Sequence, residues 1–360
     1  MADSLLSPAA GITMCAVSAS ALAYSIAKVR KDDLCEKKIP VISVVGAFIF
    51  AAQMINFTIP GTGSSGHIGG GVLLAAMLGS YPALLALSVV LIIQCLFFAD
   101  GGLLALGCNI FNLAVIPCML VYPLVFRPLL VKREPAQGSG KVKVPPCITA
   151  GRTGVASVVA AVVALQLGAF AVVLETLFSG IIELPFVTFL LLMQPVHLVI
   201  GIIEGIVTAA LLCFVHKMRP EIMESTFERV AVKSSVSAKN VIIVLAVITL
   251  ITGGVLSLFV SRHPDGLEWS IEKTAGTSEL EINGSFLEKM ASIQDKIAFM
   301  PDYVFANTSD RGSGKEEVWI GTTVAGLTGG ALTFMLAGLS VLIISLVKRK
   351  HKKSNATPSA

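Results

Sequence analysis

"VISVVGAFIFAAQMINFTIPGTGSSGHIGGGVLLAAMLGS", residues 41 to 80, passes from hydrocarbon into a glycine-rich loop and back into hydrocarbon. The apolar part from 41 to 57 carries no charge and does not alternate with period two. In lipid an unpaired backbone group is too costly to leave exposed, so such a run is a helix rather than a barrel strand. The loop between the apolar runs holds one histidine, His67, flanked by three glycines on each side. The fold therefore turns on what surrounds this loop and on why a histidine sits in it.

The same grammar extends over the chain. Of its 360 residues 54% are hydrophobic and 14% charged, and several runs reach the roughly 20 apolar residues needed to cross a bilayer. The reading is an all-α polytopic membrane protein. Its net charge of +4 comes mainly from short basic loops. Lysine and arginine concentrate on the cytoplasmic side, so this excess is an orientation signal and implies no nucleic-acid partner. Seven cysteines (15, 35, 95, 108, 118, 147 and 213) form no CxxC and avoid the long polar stretch 262 to 318, which marks most of them as small hydrophobes rather than a disulfide framework.

A first span, 8 to 27, is followed by "KVRKDDLCEKK", whose basic residues place it in the cytoplasm and the N-terminus outside. It has the length of a signal peptide but lacks a basic region ahead of it. The second span, 41 to 57, delivers the glycine loop to the outer face. Three crossings follow between 68 and 126, the first of them short, with breaks at "GSYP" (79 to 82) and "ADGG" (99 to 102). Further spans are expected at 152 to 178 and 186 to 216, the last long enough to require a tilt or a break at Pro195. Spans at 240 to 260 and 319 to 347 enclose the stretch 262 to 318, which carries eleven acidic and six basic residues and falls outside; "KRKHKK" ends the chain in the cytoplasm. The expected domains are a seven-helix body (1–218), a cytoplasmic linker (219–239), a two-helix unit (240–347) with its outer loop 262–318, and a basic tail (348–360).

Polar residues inside membrane segments are expensive and serve a site or a helix contact. His67 offers an imidazole, the commonest ligand for transition metals, though a solvated loop histidine is the plainer reading. "QCLFFADGGLLALGCNIFN" (94 to 112) sets Gln94, Asp100, Asn109 and Asn112 near the outer ends of two adjacent helices, where they line a site or join helices by hydrogen bonds. "HLVIGIIEG" (197 to 205) puts His197 and Glu204 two turns apart on one face, as site-lining residues or as a structural pair; Gly201 and Gly205 have the small-xxx-small spacing of close helix packing. "PDGLEW" (264 to 269) reads by itself as a turn. Glu175 and Glu183 read as solvated interface residues. No HExxH, GxxxxGK[ST] or Gly-x-Ser-x-Gly occurs, so the chain reads as no enzyme and as lacking an ATPase site of its own.

Three ordered motifs, "FTIPGTGSSGHIGGG", "QCLFFADGGLLALGCNIFN" and "HLVIGIIEGIVTA", resemble the CbiM/NikM family, the substrate-binding membrane components of cobalt/nickel energy-coupling-factor transporters. The resemblance covers about residues 1 to 218. The tail, with Pro264 to Glu268, is similar to the small NikN-like partner carrying a Pro-Asp-Gly-Leu-Glu motif, so the chain looks like a fusion of the two. The resemblance implies a seven-helix bundle plus two C-terminal helices in the cell membrane. It also implies nickel or cobalt as transported substrate without an organic cofactor, and a coupling membrane subunit and ATPase subunits as partners.

In that family the metal is held by the N-terminal amine, the second residue's backbone nitrogen and histidine, and the histidine of the glycine loop; four nitrogens in a plane suit nickel(II). His67 matches the last ligand. The opening "MADSLLSP" departs from the family's Met-His-x-x-(Asp/Glu) pattern, its Met1 aligning two residues late. Either the true start lies two residues upstream, or other ligands serve. Met1 remains a candidate ligand through its amine, and Asp3 a candidate supporting acceptor. On this reading the acidic 262–318 stretch concentrates cations at the outer face, and binding weakens on acidification because the ligand nitrogens must shed protons. The alternatives are a metal-binding sensor or scaffold without transport, and a secondary transporter for an organic solute, which predicts an inverted repeat.

Overall fold

The computed structural model describes the chain except residues 32–38, 132–147, 182–183, 221, 224–225, 227–238, 257–259, 262, 278–284, 306–314 and 355–360. Most of the two basic loops, Glu183, Cys35, Cys147 and most of the expected linker therefore lie outside the described residues. After a 3-10 turn at Asp3–Leu5 come α1 (Pro8–Lys31), α2 (Ile39–Gln53), a hairpin of β1 (Phe57–Ile59) and β2 (Ser64–Gly66), α3 (Gly71–Leu78) and α4 (Ser80–Phe98). These are followed by α5 (Leu106–Leu130), α6 (Ala150–Ser179) and α7 (Phe186–Met218). The C-terminal part adds α8 (Lys239–Gly254), α9 (Gly266–Ala275), α10 (Ser285–Ile297) and α11 (Lys315–Ser354).

Among the described residues six helices are long and apolar enough to cross a membrane: α1, α4, α5, α6, α7 and the Ile320–Lys348 part of α11. Two shorter apolar helices, α2 and Ile242–Gly254 of α8, stand beside them. The expected short crossing after the glycine loop takes another form. Helix α3 has eight residues, which at 1.5 Å per residue is about 12 Å against a hydrocarbon core of about 30 Å. It cannot cross by itself, and the glycine loop that feeds it is drawn into the bundle. Gly69, Gly70 and all of α3 are buried. Non-helical backbone at such depth is tolerated only when protein groups satisfy it. The antiparallel pairing of Phe57 with Gly66 and Ile59 with Ser64 does so at the loop's mouth.

Helix α7 stays a single helix through Pro195. Beside that proline, Gln166 of α6 donates to Gln194 O at 2.8 Å, and Gln194 donates to Gln166 O at 3.3 Å. The small-residue spacing acts as expected: a Cβ on Gly201 would stand 2.9 Å from Val162 Cα, so glycine sets the α6–α7 separation. In α5 a π-helical stretch covers Phe111–Phe126 and contains Pro117 and Pro123.

Helices α8 and α11 pack on α2, and the described part of the segment between them holds the helices α9 and α10. Rather than a turn, Asp265 forms a capping box: its Oδ1 accepts from Leu267 N and Glu268 N, both at 2.8 Å, while Glu268 Oε2 accepts from Asp265 N at 3.2 Å. The Asp-x-x-Glu spacing at 265–268 carried this signal in the sequence. Farther on, Tyr303 stacks on Phe98 with ring centroids 5.0 Å apart, and Phe299 packs on it at a tilt with centroids 5.4 Å apart. The C-terminal segment thus sits on the end of the bundle where Met1 lies.

Candidate metal centre

A cavity of about 120 Å³ opens between the glycine loop, α5, α6, α7 and the 265–267 turn; Met1, His67, Asn109, Asn112, His197 and Glu204 line it. These residues come from distant parts of the chain.

His67 follows β2 directly. Behind it, the buried Glu204 carboxylate accepts from Gly69 N at 2.8 Å and Gly70 N at 3.0 Å, one bond per oxygen. Gly70 has φ +75°, a left-handed conformation that a side chain would resist. Gln53 Nε2 donates to Gly69 O at 2.8 Å from the other side. The glycine loop is therefore clamped by α2 and α7, and His67 is displayed from a fixed backbone. Gln53 was missed in the sequence; its only signal was an amide in an otherwise apolar helix.

The Met1 amine donates to Asn109 Oδ1 at 3.0 Å, while Met1 O accepts from Gly102 N at 3.2 Å and from Asn109 Nδ2 at 3.4 Å. Asp3 lies behind this arrangement: it is buried, and its Oδ1 accepts from Ala105 N at 2.8 Å. Burial pushes its carboxyl above the ordinary carboxylate range, with the Ala105 amide opposing.

Asn112 Nδ2 donates to Glu175 Oε2 at 2.8 Å. Glu175 is buried by this contact, not solvated at an interface as expected. Asn112 Oδ1 and Glu175 Oε1 are buried with no hydrogen-bond partner among the described residues, which leaves acceptor capacity beside the cavity.

His197 and Glu204 share a face, but they do not bond each other. Glu204 is committed to the glycine loop, and His197 Nδ1 lies 2.8 Å from Met193 O. Gln94 and Asp100 do not reach the cavity. Both side chains bond the hydroxyl of Tyr303, because the α4 end that carries them is covered by the C-terminal segment.

That segment also reaches the cavity, which the sequence did not disclose. Ser65 N donates to Pro264 O at 2.8 Å and Ser65 Oγ to His263 O at 2.8 Å, so the turn before α9 extends the hairpin and brings Asp265 and Gly266 to the wall. From α10, Gln294 Nε2 donates to Cys95 O and Gly101 O, bracing the turn that holds Met1.

Among the described residues no three His, Cys, Asp or Glu side chains are grouped closely enough to hold a metal ion. A tight site here must enlist other donors, and an amine and backbone nitrogens are at hand. Imidazole and amine nitrogens suit late first-row divalent metals better than magnesium or calcium, which prefer oxygen.

Comparison with known proteins gives the family. Residues 1–222 match the CbiM family, described as a cobalt uptake substrate-specific transmembrane region, and residues 239–346 match the PDGLE domain. A protein of Archaeoglobus fulgidus described as a fused nickel transport protein, NikMN, is 33% identical over 208 residues, 58% of this chain and 62% of its own. A Haloquadratum walsbyi protein described as a metal transport protein is 35% identical over 198 residues, 55% of this chain and 81% of its own. A crystal structure of a transition metal transporter superposes with a TM-score of 0.50 at 26% identity, covering 64% of this chain and 99% of that one. The match thus spans less than two thirds of the fused relative, while the family match covers more than half of this chain. The chain belongs to the CbiM family of substrate-specific transmembrane proteins and carries a PDGLE domain behind that region.

Proposed function

We propose that this chain is the metal-capturing membrane subunit of an ATP-driven nickel or cobalt uptake system. The observation that carries the reading is the meeting, in one cavity, of the Met1 amine held by Asn109 and the His67 imidazole on a loop clamped by Glu204. The family description and the names of the relatives, which refer to cobalt and nickel, support the same substrate class.

On this reading a hydrated divalent cation arrives at the outer face, drawn by the acidic C-terminal segment and by the Asp265 carboxylate at the cavity wall. It exchanges water for nitrogen: first the His67 imidazole, then the Met1 amine. Asn109 orients the amine, and Glu204 keeps the loop from swinging away. These are positioning roles, since neither side chain has to touch the ion. Movement across the bilayer draws on ATPase subunits and a coupling membrane subunit.

Radiolabelled nickel and cobalt uptake in cells expressing the full chain with and without those subunits tests the proposal. Uptake that needs them and is abolished by His67→Ala is expected. Accumulation that is equal in their absence would favour a sensor or scaffold and overturn the transport reading.

A further inference from the structure

The cavity holds a second imidazole whose chemistry deepens the reading above and rests on it. His197 lies on α7 with Nδ1 2.8 Å from Met193 O. A carbonyl oxygen only accepts, so Nδ1 carries the hydrogen and Nε2 keeps its lone pair. In an α-helix the Met193 carbonyl is already the partner of the His197 amide. The additional bond is therefore not needed to satisfy the backbone, nor does it serve the carbonyl freed by Pro195, which is that of Leu191. What it accomplishes is to fix the tautomer and plane of the ring.

This is the arrangement of a metal-binding histidine: one nitrogen anchored on a carbonyl, the other open. Nε2 has no hydrogen-bond partner among the described residues, and the ring is half-buried in the wall shared with His67 and Met1. The ring is also held from its edge. A Cβ on Gly266 would stand 2.8 Å from Val196 Cγ1 and 3.2 Å from His197 Cε1, so the turn before α9 packs closely against Val196 and the edge of the imidazole.

We infer that His197 Nε2 is a further ligand of the captured nickel or cobalt ion, forming with His67 a two-imidazole site whose second ring is positioned by the Pro-Asp-Gly turn. The test is X-ray absorption of nickel(II) bound to the full chain in detergent, in which scattering from imidazole rings gives the number of histidine ligands. Two are expected. His197→Gln should lower the number by one and weaken nickel binding tenfold or more, since loss of a partner that merely supports a ligand already costs about 10–100-fold. His67→Ala should also leave one. Gly266→Ala should weaken binding without altering the chain's elution as a monodisperse particle. A single imidazole on the unsubstituted protein, or an unchanged number in His197→Gln, would overturn the inference while leaving the proposed function standing. Failure of the unsubstituted chain to bind nickel or cobalt at all would overturn both. The imidazole number of the unsubstituted protein decides the matter even if a variant does not fold.

Discussion

Replacing Glu204 asks directly whether the glycine loop is held for a purpose. The carboxylate accepts two backbone N–H groups of buried residues, Gly69 and Gly70, at 2.8 and 3.0 Å. Each buried donor left unpaired costs about 1–3 kcal/mol, so Glu204→Ala carries a gross penalty of about 2–6 kcal/mol. Two effects pull this toward the lower end. The variant no longer buries a carboxylate, and water from the adjoining cavity can reach the freed amides. A net loss of about 2–3 kcal/mol is therefore expected. Glu204→Gln retains one acceptor and turns an NH2 toward the other N–H, so it should fall between the parent and the alanine variant. The loop keeps its Gln53 bond to Gly69 O, so it should loosen rather than detach. His67, two residues from Gly69, then samples more orientations, and nickel affinity should drop by about 10–100-fold, as it does when groups supporting a metal ligand are removed. Titration calorimetry with nickel and thermal unfolding in detergent measure the two effects. Glu204→Ala with affinity within threefold of the parent and an unchanged midpoint would refute the clamp.

Other outcomes follow from the same geometry. Asn109→Leu removes the acceptor of the Met1 amine and should weaken nickel binding about tenfold, with little change in the unfolding midpoint. Gly201→Ala forces a methyl to within 2.9 Å of Val162 Cα and should destabilise the α6–α7 pair by about 1–3 kcal/mol, read as a lowered midpoint. Asp265→Ala removes the capping box at a cost of about 1 kcal/mol, and faster hydrogen exchange at Leu267 and Glu268 should report it. Asp3 is raised from 3.8 by burial, so its contribution to stability is full below 3.8 and is lost as pH rises through its folded value. Asp3→Asn, which keeps an acceptor for Ala105 N, should therefore match or exceed the parent's midpoint at pH 7, whereas Asp3→Ala should lower it by leaving that amide unpaired.

Much of this protein could be read in one dimension. Apolar runs of bilayer length dictated helices, since a lipid solvent offers the backbone no other partner. The glycines around His67 marked a backbone that must turn sharply, and Gly201 and Gly205 marked a close helix contact. These features are local or periodic, so the sequence displays them. The fate of each polar side chain is different, because hydrogen bonds join residues far apart in the chain and depend on which helix ends meet. Glu204 and His197 looked like a pair by spacing, yet one clamps the glycine loop and the other is anchored on its own helix. Gln94 and Asp100 looked like companions of Asn109 and Asn112, until the C-terminal segment covered their helix end and took them for Tyr303. The depth of the glycine loop was likewise decided in three dimensions: α3 is too short to cross, so the loop itself enters the bundle and brings His67 to the cavity. Composition settled which solvent the chain lives in; only packing settled which nitrogens and oxygens face one another, because a donor's partner is fixed by proximity in space and not by distance along the chain.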